Sequence, residues 1–191
     1  GEPGLWSSYG NALQRAGRLD AALAALDSVL ARDPKYPNVF ARQVLWFAQA
    51  GRIADARQAK DKAVASGEVQ SADDLARAIF SYAYNQQYRK GQVDAAIRLF
   101  ELTREFATTP QTRAMAAFWI GFPLYERGRK VQEPQTVESA KEALPIFQRA
   151  LENFEQSGPY AETERSINLP NIIAATKQYI EIQELLIKRG R

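Results

Sequence analysis

The sequence predicts an all-α fold of stacked helical hairpins. Three observations support this prediction: a 34-residue repeat, apolar residues at helical spacing, and no alternating strand pattern. The repeat is visible in five pairs of residues that lie 34 positions apart: Trp6 and Phe40, Leu13 and Phe47, Gly17 and Gly51, Ala22 and Ala56, Leu30 and Val64. A fixed period of this length with a central glycine is typical of helix pairs stacked along one axis. Such arrays mostly bind other proteins.

Glycine and proline mark the ends of the first four predicted helices. These helices are 5–16, 20–32, 39–50 and 53–65. Gly17 and Gly51 each follow the first helix of a hairpin, in the position of a C-terminal glycine. Asp33-Pro34 stops the second helix, and Gly67 closes the fourth. The four segments therefore form two hairpins built on the same plan.

A third hairpin is predicted over residues 75–89 and 93–106, with its turn at Gly91. Ser71 is expected to start it as a helix cap, since Asp73 and Asp74 follow in the first turn. Gly91 lies 40 positions after Gly51, not 34. About six extra residues therefore lie either in the join before this hairpin or within its helices.

The fourth hairpin is expected to begin at Thr109-Pro110, because proline is favoured at the first helical position. Its first helix should kink at Pro123 and should turn at Gly128. Residues 129–137 are polar and are interpreted as an insertion. The second helix is expected to follow this insertion, over about residues 143–151, where the apolar face resumes.

A last helix is predicted over residues 171–188, after a break at Ser157-Gly158-Pro159 and a short helical segment. Its apolar stripe is formed by Ile172, Ala175, Tyr179, Ile182 and Leu186. Two interpretations stay open. The helix either docks inward as a cap on the last hairpin or pairs with its copy in a homodimer, because its spacing is similar to a coiled-coil seam.

The first repeat carries eight residues at specific spacing: Trp6, Gly10, Leu13, Gly17, Ala22, Leu26, Val29 and Pro34. In this pattern the chain resembles the tetratricopeptide repeat family. The resemblance implies a right-handed α-solenoid of about four hairpins plus a C-terminal capping helix. It further implies a repeat domain over residues 1–158, a capping region over residues 159–191, and a close crossing of the first two helices at Gly10 and Ala22. The four repeats would lie at about 3–34, 37–68, 75–108 and 110–157.

In the tetratricopeptide family, the first helices of successive hairpins line a concave groove that binds peptides or partner segments. The resemblance thus implies a groove formed by Asn11, Arg15, Gln49, Asn85, Tyr88, Arg89, Phe122 and Tyr125. The two Asn-x-x-x-Arg pairs suit recognition of a carboxylate or a peptide backbone. The alternative is that the asparagines lie on a solvated face and the aromatic residues belong to the core.

The composition excludes most catalytic chemistry. The 191 residues include no histidine and no cysteine, so the usual general base, the commonest metal ligand and thiol chemistry are all missing. No motif supports Ser-Lys chemistry, which the composition does not formally exclude. We therefore expect no enzyme activity, no metal site and no cofactor.

The charge pattern favours a protein or peptide partner over nucleic acid. The 25 basic and 22 acidic residues are mostly interspersed, which is typical of solvated helix faces. Two short basic clusters are interpreted as a helix end and a solvated terminus: Arg127, Arg129 and Lys130, and Lys188, Arg189 and Arg191. No apolar stretch approaches the ~18 residues of a transmembrane helix, so membrane insertion is not expected. A cysteine-free chain suits the cytoplasm and the periplasm equally.

Overall fold

The computed structural model describes residues 1–190, and every regular element in that range is helical. The helices of the first half are α1 (Glu2–Arg15), α2 (Leu19–Arg32), α3 (Val39–Gln49), α4 (Ile53–Ala65) and α5 (Ala72–Tyr82). Those of the second half are α6 (Val93–Phe106), α7 (Pro110–Val131), α8 (Val137–Glu155), α9 (Gly158–Ala161) and α10 (Leu169–Arg189). A π-helical turn (Ala83–Gln87) and a 3₁₀ turn (Tyr88–Lys90) follow α5. The predicted all-α class is confirmed.

The chain forms two compact units, one from Gly1 to Ser81 and one from Tyr82 onward. In the first unit, α1 packs against α2 and α3 packs against α4. In the second unit, α8 packs against both α7 and α10, while α6 and α9 also pack against α7. Each unit is therefore built from neighbouring helix pairs, as the repeat pattern predicts.

The two hairpins of the first unit close through the same turn. Gly17 has a φ of 75° and Gly51 a φ of 74°, values that glycine adopts without a steric penalty. The Gly17 N–H donates to the Gln14 carbonyl at 3.0 Å, and the Arg18 N–H donates to the Leu13 carbonyl at 2.9 Å. This pair of bonds is a Schellman motif, which satisfies carbonyl groups at a helix end. Gly51 and the residue after it make the equivalent pair.

The helices of the first hairpin cross at small residues. A Cβ atom placed on Gly10 would lie 3.3 Å from the Cβ of Ala25 and 3.4 Å from the Ala22 carbonyl oxygen. Ala22 is fully buried. The predicted crossing at Gly10 and Ala22 is therefore present. The core around it is formed by Leu13, Ala22, Leu23, Ala25, Leu26, Val29, Val39 and Trp46.

A carboxylate from the loop after α4 caps the start of α3. Glu68 Oε1 accepts from the Val39 N–H at 3.2 Å, and Glu68 Oε2 accepts from the Ala41 N–H at 2.9 Å. These N–H groups have no partner within the helix, and a negative charge there is favoured by the helix dipole. No local sequence signal indicates this cap, because Glu68 lies almost 30 residues beyond the start of the helix that it caps.

The extra residues of the third repeat lie in its first helical segment. This segment runs from Ala72 through the π-helical turn and the 3₁₀ turn to Lys90, so the uninterrupted helix predicted over 75–89 is wrong. Its start agrees with the prediction, since Ser71 Oγ accepts from the Asp73 N–H at 3.3 Å. Its end also agrees, because Gly91 has a φ of 80°.

Two predictions for the fourth hairpin are wrong. The chain does not turn at Gly128, because α7 continues through it to Val131. A Cβ atom on Gly128 would lie 2.7 Å from the Phe147 ring, so this glycine serves helix packing and not a turn. The proposed insertion over 129–137 consists of the last residues of α7 and a short connection to α8. The helix also continues through Pro123.

The last helix packs inward on α8, as expected of a cap. Its fully buried side chains are Thr176 and Gln183, neither of which belongs to the predicted stripe. Ile182 does belong to that stripe but is 44% exposed. The predicted buried face is therefore wrong in part, because apolar residues occur on several sides of α10 and its contact with α8 selects among them. Arg191, predicted as part of a basic terminus, lies outside the described residues.

Candidate partner-binding surfaces

Two predicted groove residues of the first unit, Asn11 and Gln49, accept hydrogen bonds from residues outside the predicted set. Asn11 Oδ1 accepts from Arg42 Nη1 at 3.1 Å, and Gln49 Oε1 accepts from Gln14 Nε2 at 3.3 Å. Both bonds link α1 to α3. Arg15 is exposed in the last turn of α1. This face is polar and half-buried, and Asn11 and Gln49 already use their carbonyl oxygens within the protein.

Arg42 is the central cation of this polar face. Its guanidinium lies 5.8 Å from the centre of the Trp46 ring, which is a cation–π distance. Burial lowers the pKa of Arg42, while the charges of Tyr36 and Glu68 act in the opposite direction. Arg42 is not among the predicted groove residues, although it lies one turn before Trp46 on the helix that carries Gln49.

An apolar surface of the same unit lies on α1. Leu5 is 74% exposed and Tyr9 is 52% exposed. With Glu2 and Trp6 they line a shallow cavity of about 250 Å³. In the next hairpin the residues 34 positions later, Val39 and Gln43, are buried. The face of α1 that carries Leu5 and Tyr9 is therefore exposed, whereas the equivalent face of α3 is buried.

Asn85 and Arg89 lie in two different kinds of helical turn. Asn85 lies in the π-helical turn and Arg89 lies in the 3₁₀ turn. The spacing rule for residues four apart describes an α-helix, so it does not apply to this pair directly. Both residues are exposed, and both stay candidate binding residues.

An aromatic cluster forms the main candidate surface of the second unit. Its centre is Trp119 on α7. The rings around it are those of Tyr84, Tyr88, Phe118, Phe122 and Tyr160. Ring centres lie 4.9 Å from Trp119 for Tyr84 and 5.5 Å for Tyr88, with edge-to-face geometry in both cases. We refer to these six residues as the Trp119 cluster.

The cluster draws its residues from four elements, of which α7 supplies Phe118, Trp119 and Phe122. The π-helical and 3₁₀ turns supply Tyr84 and Tyr88, whose rings stack at 5.7 Å. The short helix α9 supplies Tyr160, whose hydroxyl accepts a hydrogen bond from Trp119 Nε1 at 3.3 Å. All members except the buried Phe118 keep part of their surface exposed. Large half-exposed aromatic residues are those that dominate binding energy in protein interfaces.

The cluster agrees only in part with the residues predicted from the sequence. Tyr88 and Phe122 are members, but Tyr125 is not. The Tyr125 ring packs against Phe147, Phe154 and Tyr179, at 6.3, 6.1 and 5.9 Å. It therefore belongs to the contact of α7 with α8 and α10.

Four members of the cluster are absent from the predicted groove residues: Tyr84, Phe118, Trp119 and Tyr160. Two of them show different reasons for this. Trp119 is one of many aromatic residues on its helix, and spacing alone does not separate it from core residues. Tyr160 follows a Gly-Pro break and lies in a helix of four residues. Such a helix is too short for any periodicity to show which way a side chain points.

Two partly buried phenols of the cluster have raised pKa values. Burial raises the pKa of Tyr88, and the charges of Glu126 and Tyr84 raise it further. Burial also raises the pKa of Tyr160, with smaller contributions from Glu164 and Tyr84, while the hydrogen bond from Trp119 acts in the opposite direction. These phenols therefore stay neutral at physiological pH and act as hydrogen-bonding groups.

A separate polar cleft of about 290 Å³ lies where the end of α7 meets α10. It is lined by Glu126, Arg129, Lys130, Gln132, Glu133 and Tyr179. Both signs of charge are present, and Arg129 lies over the Tyr125 ring. The nearby Arg127 pairs with Asp94 at 2.5 Å. The predicted basic cluster at this helix end is thus divided among several partners.

Two kinds of site were not found among the described residues. No helix there is both long enough and apolar enough to cross a membrane. No group of acidic side chains in residues 1–190 is arranged to hold a metal ion.

The start of the chain matches one family model. The match covers residues 3–46, and the model is described as tetratricopeptide repeat. The first hairpin lies almost entirely within this range and is similar to a tetratricopeptide repeat. The matched range covers α1, α2 and the first part of α3, where the Schellman turn and the crossing at Gly10 are found. No curated protein matches the chain.

Several solved structures are similar to the chain at low identity. MamA is 14% identical, with 98% of this chain and 92% of that chain covered and a TM-score of 0.42. YrrB, described as a TPR protein with an unusual peptide-binding site, is 17% identical, with 97% and 89% covered and a TM-score of 0.40. PilW, described as a type IV pilus biogenesis factor, is 12% identical, with 96% and 90% covered and a TM-score of 0.35.

Proposed function

We propose that this chain is a non-catalytic protein-interaction module that binds a peptide or partner segment. The observation that carries the proposal is the Trp119 cluster, in which five partly exposed aromatic rings adjoin one another on a helical scaffold. Tyr and Trp present large rigid surfaces at a low cost in conformational entropy. In a tetratricopeptide-type chain without histidine or cysteine, this surface favours binding over catalysis.

The predicted groove residues are part of the same proposal. Tyr88 and Phe122 lie in the cluster, and the exposed Asn85 and Arg89 lie in the turns that supply its tyrosines. Asn11, Arg15 and Gln49 form a second polar face in the first unit. We keep the division into repeats over residues 1–158 and a capping region over 159–191 as a proposal, which the packing of α10 on α8 supports.

Peptide selection tests the proposal directly. A random 12-residue peptide library is displayed and selected on the immobilised chain, and enriched peptides are then synthesised. The Trp119→Ala variant is expected to bind these peptides at least ~10-fold more weakly, as for a central aromatic anchor. Phe40→Ala is the matched control, since Phe40 is a partly buried aromatic residue of the other unit and lies outside the candidate surfaces. Failure to enrich any peptide, or equal binding by both variants, would contradict the proposal.

Measuring the unfolding midpoint of each variant distinguishes a loss of peptide affinity from a loss of protein stability. Phe122→Ala removes a half-buried ring without removing the hydrogen bond between Trp119 and Tyr160. If Phe122 binds the partner, affinity falls by more than the small loss of folded protein can explain. If Phe122 only fills the core, the midpoint falls and the affinity of the folded fraction is unchanged.

A homodimer through α10 is the second candidate function. The observation that favours it is the exposure of Ile182 (44%) and Leu185 (52%), two large apolar residues one turn apart. Sedimentation equilibrium of the wild type tests it, together with the double variant Ile182→Glu, Leu185→Glu. Dimerisation through this face predicts a dimer that the double variant abolishes, whereas Val64→Glu leaves it intact. A wild-type chain that stays monomeric at high concentration excludes this candidate.

A further inference from the structure

Two carboxylates border the Trp119 cluster, each about one helical turn beyond one of its rings. Glu126 follows Phe122 by four residues on α7, so the two side chains share a face of the helix. Glu164 follows Tyr160 by four residues, and its N–H donates to the Tyr160 carbonyl at 3.1 Å. Both glutamates are exposed.

The negative charge of each glutamate affects the phenol of a different tyrosine in the cluster. Glu126 acts on the phenol of Tyr88, and Glu164 acts on the phenol of Tyr160. Exposed cations are also present, since Arg89 follows Tyr88 and Arg165 follows Glu164 in the chain. Two further cations have partners of their own. Lys90 donates to Gln86 Oε1 at 2.6 Å, and Arg127 binds Asp94. Glu126 and Glu164 supply the negative charge that acts on the two phenols.

We propose that the Trp119 cluster, together with Glu126 and Glu164, binds an arginine side chain of the partner segment. This inference rests on the proposed function and specifies the chemistry of its ligand. The faces of aromatic rings attract cations, and tryptophan does so most strongly. A planar guanidinium stacks on such a ring while its five N–H donors reach outward to carboxylates. An uncharged apolar side chain would pack against the rings but would gain nothing from the two carboxylates.

The test uses the peptides selected from the random library. Enriched sequences are expected to share an arginine, and synthetic copies are made with arginine, lysine or citrulline at that position. Citrulline has nearly the shape of arginine without its charge. The arginine peptide should bind the wild-type chain about 3- to 30-fold more tightly than the citrulline peptide, with lysine between the two.

Variants that remove the glutamate charges show whether Glu126 and Glu164 cause the preference for arginine. In the Glu126→Gln, Glu164→Gln double variant, arginine peptide binding should weaken about 3- to 10-fold, as expected for lost charge-assisted contacts. Citrulline peptide binding should not change. Glu142→Gln is the control, since Glu142 is an exposed carboxylate on α8. Circular dichroism verifies that each variant keeps its helix content.

The outcomes separate this inference from the proposed function. Enriched peptides without a shared basic residue, or equal affinities for arginine and citrulline, would overturn the inference and leave peptide binding intact. An unchanged preference for arginine in the double glutamine variant would also overturn it. A chain that enriches no peptide at all would overturn both.

Discussion

At the scale of single residues, glycine has two different roles in this chain. Gly17 and Gly51 lie at corners with positive φ, where an added Cβ atom would meet nothing within 4 Å yet the backbone conformation strains other residues. Gly10 and Gly128 lie inside helices and face a neighbouring helix closely. In the sequence, Gly128 has a spacing similar to that of Gly17 and Gly51, and spacing alone does not separate the two roles. The difference lies in the packing, because Gly128 faces the ring of Phe147, 19 positions later in the chain.

The first prediction concerns Gly128. Replacing it with alanine places a Cβ atom 2.7 Å from the ring of Phe147, which is fully buried. Helix propensity favours alanine by about 1 kcal/mol, but overpacking of a core costs about 1–3 kcal/mol. Gly128→Ala should therefore lower the free energy of unfolding, as measured by urea denaturation.

Gly4→Ala is the matched control for that substitution. Gly4 is also helical, and the closest contact of its added Cβ would be an ordinary 3.7 Å to the Tyr36 hydroxyl. Helix propensity then dominates, and stability should stay the same or rise. If Gly128→Ala were as stable as the control, Phe147 would have room to move and the packing role of Gly128 would be refuted.

At the scale of elements, local signals predict helix ends well. The bounds of α4 and α6 agree with the sequence prediction to the residue. A glycine turn precedes each helix, and Gly67 follows α4 while Thr109-Pro110 follows α6. The π-helical turn in the third repeat could not be predicted in this way. Tyr84 in this turn and Tyr88 directly after it both contact the ring of Trp119, which lies some 30 residues away in the chain.

The buried face of α10 shows a second limit of local signals. Its sequence offers apolar residues on more than one side, and the residue that the stripe placed inward, Ile182, is largely exposed. Gln183 is buried instead, and its Nε2 donates to Gln132 Oε1 at 3.4 Å. Such a choice depends on the neighbouring helices, which hydrophobic spacing in one segment does not describe.

The second prediction concerns the Schellman corners. Gly51→Ala should lower the free energy of unfolding by about 1–2 kcal/mol, because alanine resists the left-handed conformation. Gly17→Ala should cost about the same, since the two turns share their φ values and hydrogen bonds. Gly158→Ala is the control, because its Cβ would also meet nothing within 4 Å and its φ is not positive. Unequal costs at Gly17 and Gly51 would contradict the equivalence of the corners.

At the scale of the whole molecule, the chain divides into two compact units. The first unit could be predicted closely, since the 34-residue echo in the sequence determines the hairpins, the corners and the crossing at Gly10. The second unit departs from the repeat in its π-helical turn, in the length of α7 and in the packing of α10. Its aromatic cluster takes Tyr84 and Tyr88 from the π-helical and 3₁₀ turns, whereas Tyr125 packs against Tyr179 of α10. Only two of the predicted groove residues, Tyr88 and Phe122, therefore belong to the cluster.

The last prediction concerns the separate core of the first unit. Ala22 is fully buried there, so Ala22→Glu places an unpaired charge in the apolar interior. The penalty is several kcal/mol, comparable with the total stability of a small domain, about 5–15 kcal/mol. We expect the first unit to unfold, so limited proteolysis should cut within residues 1–81 first and leave a longer-lived fragment from the second unit.

Ala24→Glu is the matched control, because Ala24 is exposed on the same helix and this variant should keep the wild-type cleavage pattern. A fully helical, protease-resistant Ala22→Glu chain would refute the crossing at Ala22, while uniform cleavage of both units would refute their separate cores.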